Sequence, residues 1–378
     1  MPTEQTWMLT LGPSHPAGHG PIALNLRTSG DGASDDTIEW CEPLIHPLHR
    51  GAEKLFESRD YRQILALADR HDWLSAFGSE LGLALTLETM LGIQVPPRAT
   101  WIRTAMAELN RAIHHLRWLG ETIGELAATS SDSGLRDKCR NAREQLTDLH
   151  EANSGGRVHP MLVQPGGVRV DLPPRWSAAV IDLTTSLTPL CDELMAWVDS
   201  ADQLAGVAPV SGADAIAYGV SGPVARASGL PLDLRFDDPY VAYPELIDVG
   251  VLSRCVSYAG DAKARLQVLA AELPVSLECL RFSAEQLAGP HAQGAISVRL
   301  PRSVRVPEGD GYGWTENPTG INGWYLISKG GPMPYRLKLR TASFANAAAL
   351  SEAVVGRRVA DLPVALMSFL LVAGDLAK

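Results

Sequence analysis

Residues 98–128, RATWIRTAMAELNRAIHHLRWLGETIGELAA, decide the fold class. Apolar positions recur at Ile102, Met106, Leu109, Ile113, Leu116, Gly120, Ile123 and Ala127. The alternating steps of four and three keep one face of a long α-helix apolar. The segment opens just after Pro96-Pro97, and helical patterning also covers roughly 69–92, 132–153, 175–204 and 248–272. A helical bundle from about residue 51 to 281 is the expectation.

Outward from the bundle the period changes. WMLTL (7–11), PIALNLRT (21–28) and TIEWCEP (37–43) alternate as strands. Between the first two, GPSHPAGHG carries two prolines and three glycines and has to be a loop. Strands return at 294–300, 322–328 and 335–341, with helices at about 344–357 and 360–373. Residues 205–231 and 283–323, rich in Gly and Pro, read as long ordered loops. The whole reads as α+β, mainly α, in one unit: a β-rich part over 1–50, helices over 51–281, and a β-rich then helical part over 282–378.

A formal net charge of -10 and no basic stripe exclude a nucleic-acid surface. The N-terminus has no basic start followed by an apolar core, so no secretory signal is expected. The longest apolar run, 362–374, is short of the roughly twenty residues that cross a bilayer. Cysteines at 41, 139, 191, 255 and 279 are scattered, with no CxxC and no ferredoxin or zinc spacing, so no metal is expected in this chain alone. GxGxxG, Walker A, GxSxG and HExxH are all absent.

Several polar residues are candidates for chemistry, each beside an ordinary structural reading. His15 and His19 sit on the glycine-rich loop, where an imidazole can approach a ligand or bond nearby backbone. Arg50 precedes a helix expected from Gly51, an unfavoured place for a cation unless something negative lies opposite. Asp69 and Asp72 read as helix-capping residues around Arg70 and Trp73. On the long helix, Glu108–Arg111 and Arg117–Glu121 have intrahelical pair spacing. His159 and Arg169 flank the turn Pro165-Gly166-Gly167, either a binding loop or a plain bend.

Taken in order, eight segments resemble the D-subunit family of NADH-quinone oxidoreductase, the large quinone-side subunit of respiratory complex I. They are LGPSHPAGHG (11–20), EPLIHPLHRGAEKL (42–55), DRHDWLS (69–75), LGIQVPPRATWIR (91–103), AELNR (107–111), GGRVHPMLVQPGGVRVDLP (155–173), GVSGPVARASG (219–229) and PYRLKLRTASFAN (334–346). The resemblance implies a hydrogenase-large-subunit-like helical bundle flanked by small antiparallel β-sheets. It implies quinone as substrate, reduced beside an iron–sulfur cluster that a small partner subunit holds, with NADH oxidised at a distant subunit. Electron transfer would be coupled to proton translocation. Other peripheral-arm and membrane-arm subunits would be partners, on the cytoplasmic side of the membrane, and the chain would not act alone.

Residue by residue, the resemblance makes His19 the catalytic loop histidine and puts Trp73 and Glu125 at the quinone. It turns Arg50, Arg70 and His159 toward the cluster. This sequence departs from the family at four places: Trp73 stands for a tyrosine and Glu125 for an aspartate. Leu44-Ile45-His46 replaces a His-x-Gly pattern, and Leu370 replaces an acidic residue. The departures imply a modified quinone site or, alternatively, a scaffold without turnover. Nickel–iron hydrogenase chemistry is excluded, because 70–75 and 371–375 offer no thiolate.

Overall fold

The computed structural model describes residues 6–12, 15, 19–45, 49–126 and 133–378; His46 and Ala127 lie outside them. The chain opens with an antiparallel sheet in the order β1 (Thr6–Leu11), β2 (Ile22–Thr28), β3 (Ile38–Leu44). Helices α1 (Ala52–Glu57), α2 (Tyr61–Ala68), α3 (Ala76–Leu91), α4 (Pro97–Leu126) and α5 (Ser133–Ser154) follow. A minimal hairpin, β4 (Val163–Gln164) and β5 (Gly167–Val168), leads to α6 (Trp176–Ser186) and α7 (Thr188–Ser200). Four short helices come next: α8 (Gly212–Ala217), α9 (Gly222–Ala227), α10 (Leu234–Asp237) and α11 (Tyr243–Asp248). The long α12 (Ala262–Ala288) precedes a second antiparallel sheet, β6 (Gly309–Asn317), β7 (Gly320–Ser328) and β8 (Arg336–Arg340). The chain ends in α13 (Ala342–Ala353), α14 (Leu362–Ser368) and α15 (Ala373–Leu376).

The stripe on α4 does what its period dictates. Ile102, Met106, Leu109, Leu116 and Ile123 are buried, and α4 packs along α12 on one side and α5 on the other. Gly120 belongs to the stripe as a spacer: a Cβ there would stand 2.9 Å from Cys139 Cβ, so only glycine lets α5 come this close. α3 lies across β6 and β7, and α13 packs on β3. One contiguous apolar core joins residues from Leu11 to Leu376. Among the described residues no helix is long and apolar enough to cross a membrane.

Several boundaries differ from the periodic reading. The helix expected over 69–92 begins only at Ala76, as α3, because residues 69–75 turn under the control of Asp72. The pattern over 175–204 breaks at Leu187, where Pro189 starts α7. The helix expected over 248–272 begins only at Ala262, where the Asp261 side chain accepts from Ala264 N–H at 2.9 Å, and then runs through Pro274 to Ala288. The expected strand at 294–300 reduces to one bridge, Ser297 with Gly167. Leu370, with φ 57, ends the last apolar helix early and separates α14 from α15.

Candidate functional site

The turn between α2 and α3 is where the first-sheet loop, the long helix and the chain's last turn meet. Asp72 shapes it, accepting at Oδ1 from the Leu74 and Ser75 backbone N–H groups at 3.3 and 3.1 Å. Next to it, His71 Nδ1 stands 2.9 Å from Asp375 Oδ1, tying the turn to α15. Burial and the nearby Asp375 push the Asp72 carboxyl up to about 7. Trp73 leaves this turn with its ring between two glycines. A Cβ at Gly374 would stand 2.1 Å from Trp73 Cζ3, and one at Gly20 would stand 3.2 Å from Cζ2.

Here an open cleft of about 590 Å³ is lined by His15, His19, Trp73, Leu74 and Val158, and across it by Arg117 and Glu121 of α4 with Arg136 and Arg140 of α5. His19 and Trp73 therefore share one cavity. Glu125 does not line it, contrary to the expectation that all three would. The carboxylate on the wall is Glu121; Glu125, on the same face but one turn further along, stands at the end of α4 beyond the lining.

His19 adopts a left-handed backbone, φ 37, and meets the Trp118 ring edge-on at 4.2 Å between centroids. Its Nε2 is buried without a hydrogen-bond partner. Burial, and secondarily the Arg117 charge, hold its pKa down at about 3, so the ring is neutral at physiological pH. These surroundings disfavour the His19 cation.

Arg70 and His159 meet around one carboxylate, and Arg50 is tied to the Arg70 backbone. Asp69 is fully buried, and its Oδ2 lies 3.4 Å from Arg70 Nη1 and 3.3 Å from His159 Nδ1. The histidine contact is in ion-pair range but lacks hydrogen-bond geometry. Arg50 Nη2 donates to the Arg70 carbonyl at 3.1 Å, and Arg70 Nη2 reaches Met161 Sδ at 3.6 Å. Beneath them Glu80 Oε2 accepts from Val163 N–H at 2.9 Å, while burial, with Asp69 adding, pushes its carboxyl up to about 8. The patch adjoins the cleft, since Arg70 and Trp73 share a turn and Val158 precedes His159.

Residues 138–378 match the family described as the respiratory-chain NADH dehydrogenase 49 Kd subunit. Over 380 residues the chain is 46% identical to the second D subunit of the NADH-quinone oxidoreductase of Salinispora tropica, covering 98% of this chain and 93% of that protein. It is 45% identical to the first D subunit of the Streptomyces coelicolor enzyme, over 98% of this chain and 95% of that one. The chain belongs to the D-subunit family of NADH-quinone oxidoreductase. It is thus a subunit of a complex I-type oxidoreductase. The fold of this D-subunit member recurs, with a TM-score of 0.88 and 30% identity over 99% of this chain and 98% of the other, in a chain of the membrane-bound sulfane sulfur reductase, an archaeal respiratory membrane complex.

Behind the cleft, this complex I-type subunit carries a buried ionic network that the sequence reading missed. Arg226 bonds Glu272 at 2.6 Å and Glu316 at 2.7 Å. Arg235 bonds Asp233 at 2.7 Å and reaches Glu108 at 3.3 Å, and Tyr243 donates to Glu108 at 2.6 Å. Glu108–Arg111, expected as an intrahelical pair, stands at 3.5 Å and is wholly buried. Burial alone would raise the Glu272 carboxyl, but Arg226, His115 and Arg235 outweigh it and hold it well down. A signal existed: Arg226 stands alone in the small apolar run PVARA, and Glu272 in LAAELPV.

An ordered chain links this network to the cleft wall. Trp118 Nε1 donates to His114 Nε2 at 2.8 Å, His114 Nδ1 lies 3.1 Å from His115 Nδ1, and His115 Nε2 lies 2.9 Å from Glu272 Oε2. Indole N–H only donates, so His114 carries its proton on Nδ1 and His115 on Nε2. Both rings are neutral, their pKa values lowered chiefly by burial. The cysteines are free thiols, and burial pushes Cys41 and Cys139 up to about 12. Among the described residues no three His, Cys, Asp or Glu stand close enough to hold a metal ion.

Proposed function

We propose that the chain forms the quinone-reduction site of an NADH-quinone oxidoreductase in the cleft holding His19 and Trp73. The observation that carries this is that the two residues share one open cavity, whose edge continues into the patch of Arg50, Arg70 and His159. A small partner subunit's iron–sulfur cluster would face that patch, with NADH oxidised at a distant subunit. A positive, hydrogen-bonding surface beside a cluster favours its reduced form, and the bound cluster supplies electrons one at a time. Other peripheral-arm subunits and the membrane arm, where protons are translocated, complete the assembly, with this chain peripheral on the cytoplasmic side.

Quinone reduction takes up two electrons and two protons. Neutral His19 first donates an imidazole N–H to a carbonyl oxygen of the headgroup. Negative charge arriving there favours the imidazolium, so His19 draws a proton from the solvent side and hands it on. Trp73 stacks on the headgroup or donates its indole N–H, but has no proton to release.

A second reading, a scaffold without turnover, is favoured by one observation: His19 lacks the carboxylate partner that would help it charge. Quinone-dependent oxidation of the electron donor in membranes separates the two. His19→Ala should lower the rate by about 100-fold, and Trp73→Tyr should keep or raise it. No quinone-dependent rate in the parent, and none restored by Trp73→Tyr, would establish the scaffold.

A further inference from the structure

Arg117 differs from every other arginine around the cleft. Arg136 and Arg140 lie 3.3 and 3.7 Å from Glu121, Arg143 lies 2.6 Å from Glu144, and Arg157 is held by Glu144, Asp148 and Glu151. Glu121, the expected helix partner of Arg117, is thus taken by α5. Among the described residues Arg117 forms no ion pair, and its Nε is buried without a hydrogen-bond partner.

Its position adds the second observation. Arg117 lines the 590 Å³ cleft beside His19 and Trp73, and also a neighbouring cavity of about 170 Å³ that shares Trp73, Leu74 and Val158. It therefore stands at the partition between the two. The wall of each cavity holds three guanidiniums against one carboxylate: Arg117, Arg136 and Arg140 against Glu121, and Arg117, Arg143 and Arg157 against Glu144. A guanidinium stays charged, and a largely buried one whose nearby carboxylate, Glu121, already pairs with two other arginines is costly. An anion in the cavity removes that cost.

We propose that Arg117 is a catalytic residue that holds the acceptor's headgroup in its anionic form. The inference rests on reading the cleft as the quinone site. Quinone takes two electrons from the partner's iron–sulfur cluster and one proton relayed from solvent, giving the quinol monoanion, whose remaining oxyanion sits on the Arg117 guanidinium. A second solvent proton then gives the quinol. This suits a site whose aromatic residue is Trp73, because no phenol stands there to supply that second proton at once. The same wall favours quinones that already carry an ionised group.

The test is direct binding to the assembled complex of two probes, a hydroxynaphthoquinone ionised at neutral pH and its uncharged methyl ether. In Arg117→Leu the ionised probe should bind at least about tenfold more weakly, with the ether unchanged within about threefold. Arg117→Lys should recover part of the ionised probe's affinity. Quinone-dependent turnover should fall by about tenfold or more through kcat rather than KM, while donor oxidation by a soluble artificial acceptor stays at the parent level. Equal weakening of both probes, or none, overturns the role of Arg117 and leaves the site assignment standing. Failure of both probes to bind the parent complex overturns the site assignment and this role with it.

Discussion

Gly374 and Trp73 are in contact so close that the residue at 374 fixes where the indole lies: a Cβ there would stand 2.1 Å from Cζ3. A residue near the far end of the sequence thereby sets one wall of the cleft, and His71–Asp375 locks the same two turns together. Gly374→Ala should cost about 1–3 kcal/mol through overpacking. It should also raise the KM for quinone, as the ring is pushed into the cleft. Denaturant unfolding and steady-state rates check both; an unchanged KM with full stability would mean that Trp73 moves freely.

Glu80 makes stability depend on pH. Its folded pKa of about 8 lies above the unfolded value, so the stability it contributes is fully present below about 4.5 and is lost as pH rises through about 8. Glu80→Gln keeps an acceptor for Val163 N–H but carries no charge. Relative to the parent, the variant should therefore gain stability as pH goes from 5 to 8, by up to about 1.4 kcal/mol per unit. Paired unfolding curves at those two values test it. A gap that does not widen with pH would show Glu80 ionised in the folded chain.

Breaking the buried network should be severe. Glu272→Gln removes the charge opposite Arg226 and one of the two acceptor oxygens that serve Arg226 and His115, leaving one of those two buried donors without its partner. The expected loss is about 3–5 kcal/mol, read as a fall in the unfolding midpoint or as failure to assemble. A loss under about 1 kcal/mol would mean that the pair is replaceable.

Arg70→Met should lower the reduction potential of the partner-held cluster, because it takes a positive charge from the surface expected to face it. A redox titration followed by electron paramagnetic resonance measures this. An unchanged potential would place the cluster elsewhere.

The parts of the molecule set by local period were legible in the sequence. Ile102 to Ile123 announced α4, and the alternation in WMLTL and PIALNLRT announced the first sheet. Arg70 and His159 meet at Asp69, with Arg50 bonded to the Arg70 backbone, although nothing in their spacing required it; only the family resemblance had grouped the three. Pairing between elements was not legible. Glu121 has helix spacing to Arg117, yet α5 supplies two better-placed arginines, and no one-dimensional pattern ranks those competitors. Glu125 misses the cleft for a similar reason, since being one turn further along changes which neighbour a side chain meets. Arg226, Glu272 and Glu316 look like isolated charges in apolar text until the fold brings them together.

The row from Trp118 through His114 and His115 to Glu272 points all its hydrogens one way, inward. At the outer end stands an indole, which never surrenders its hydrogen, so no proton from His19 enters the row through Trp118. It behaves as an insulator. Acid–base events at His19 stay on the solvent side, and the charges around Arg226 feel them only as a change of field across a fixed wall. Between cleft and ionic interior, this row passes on a change of field and not a travelling proton.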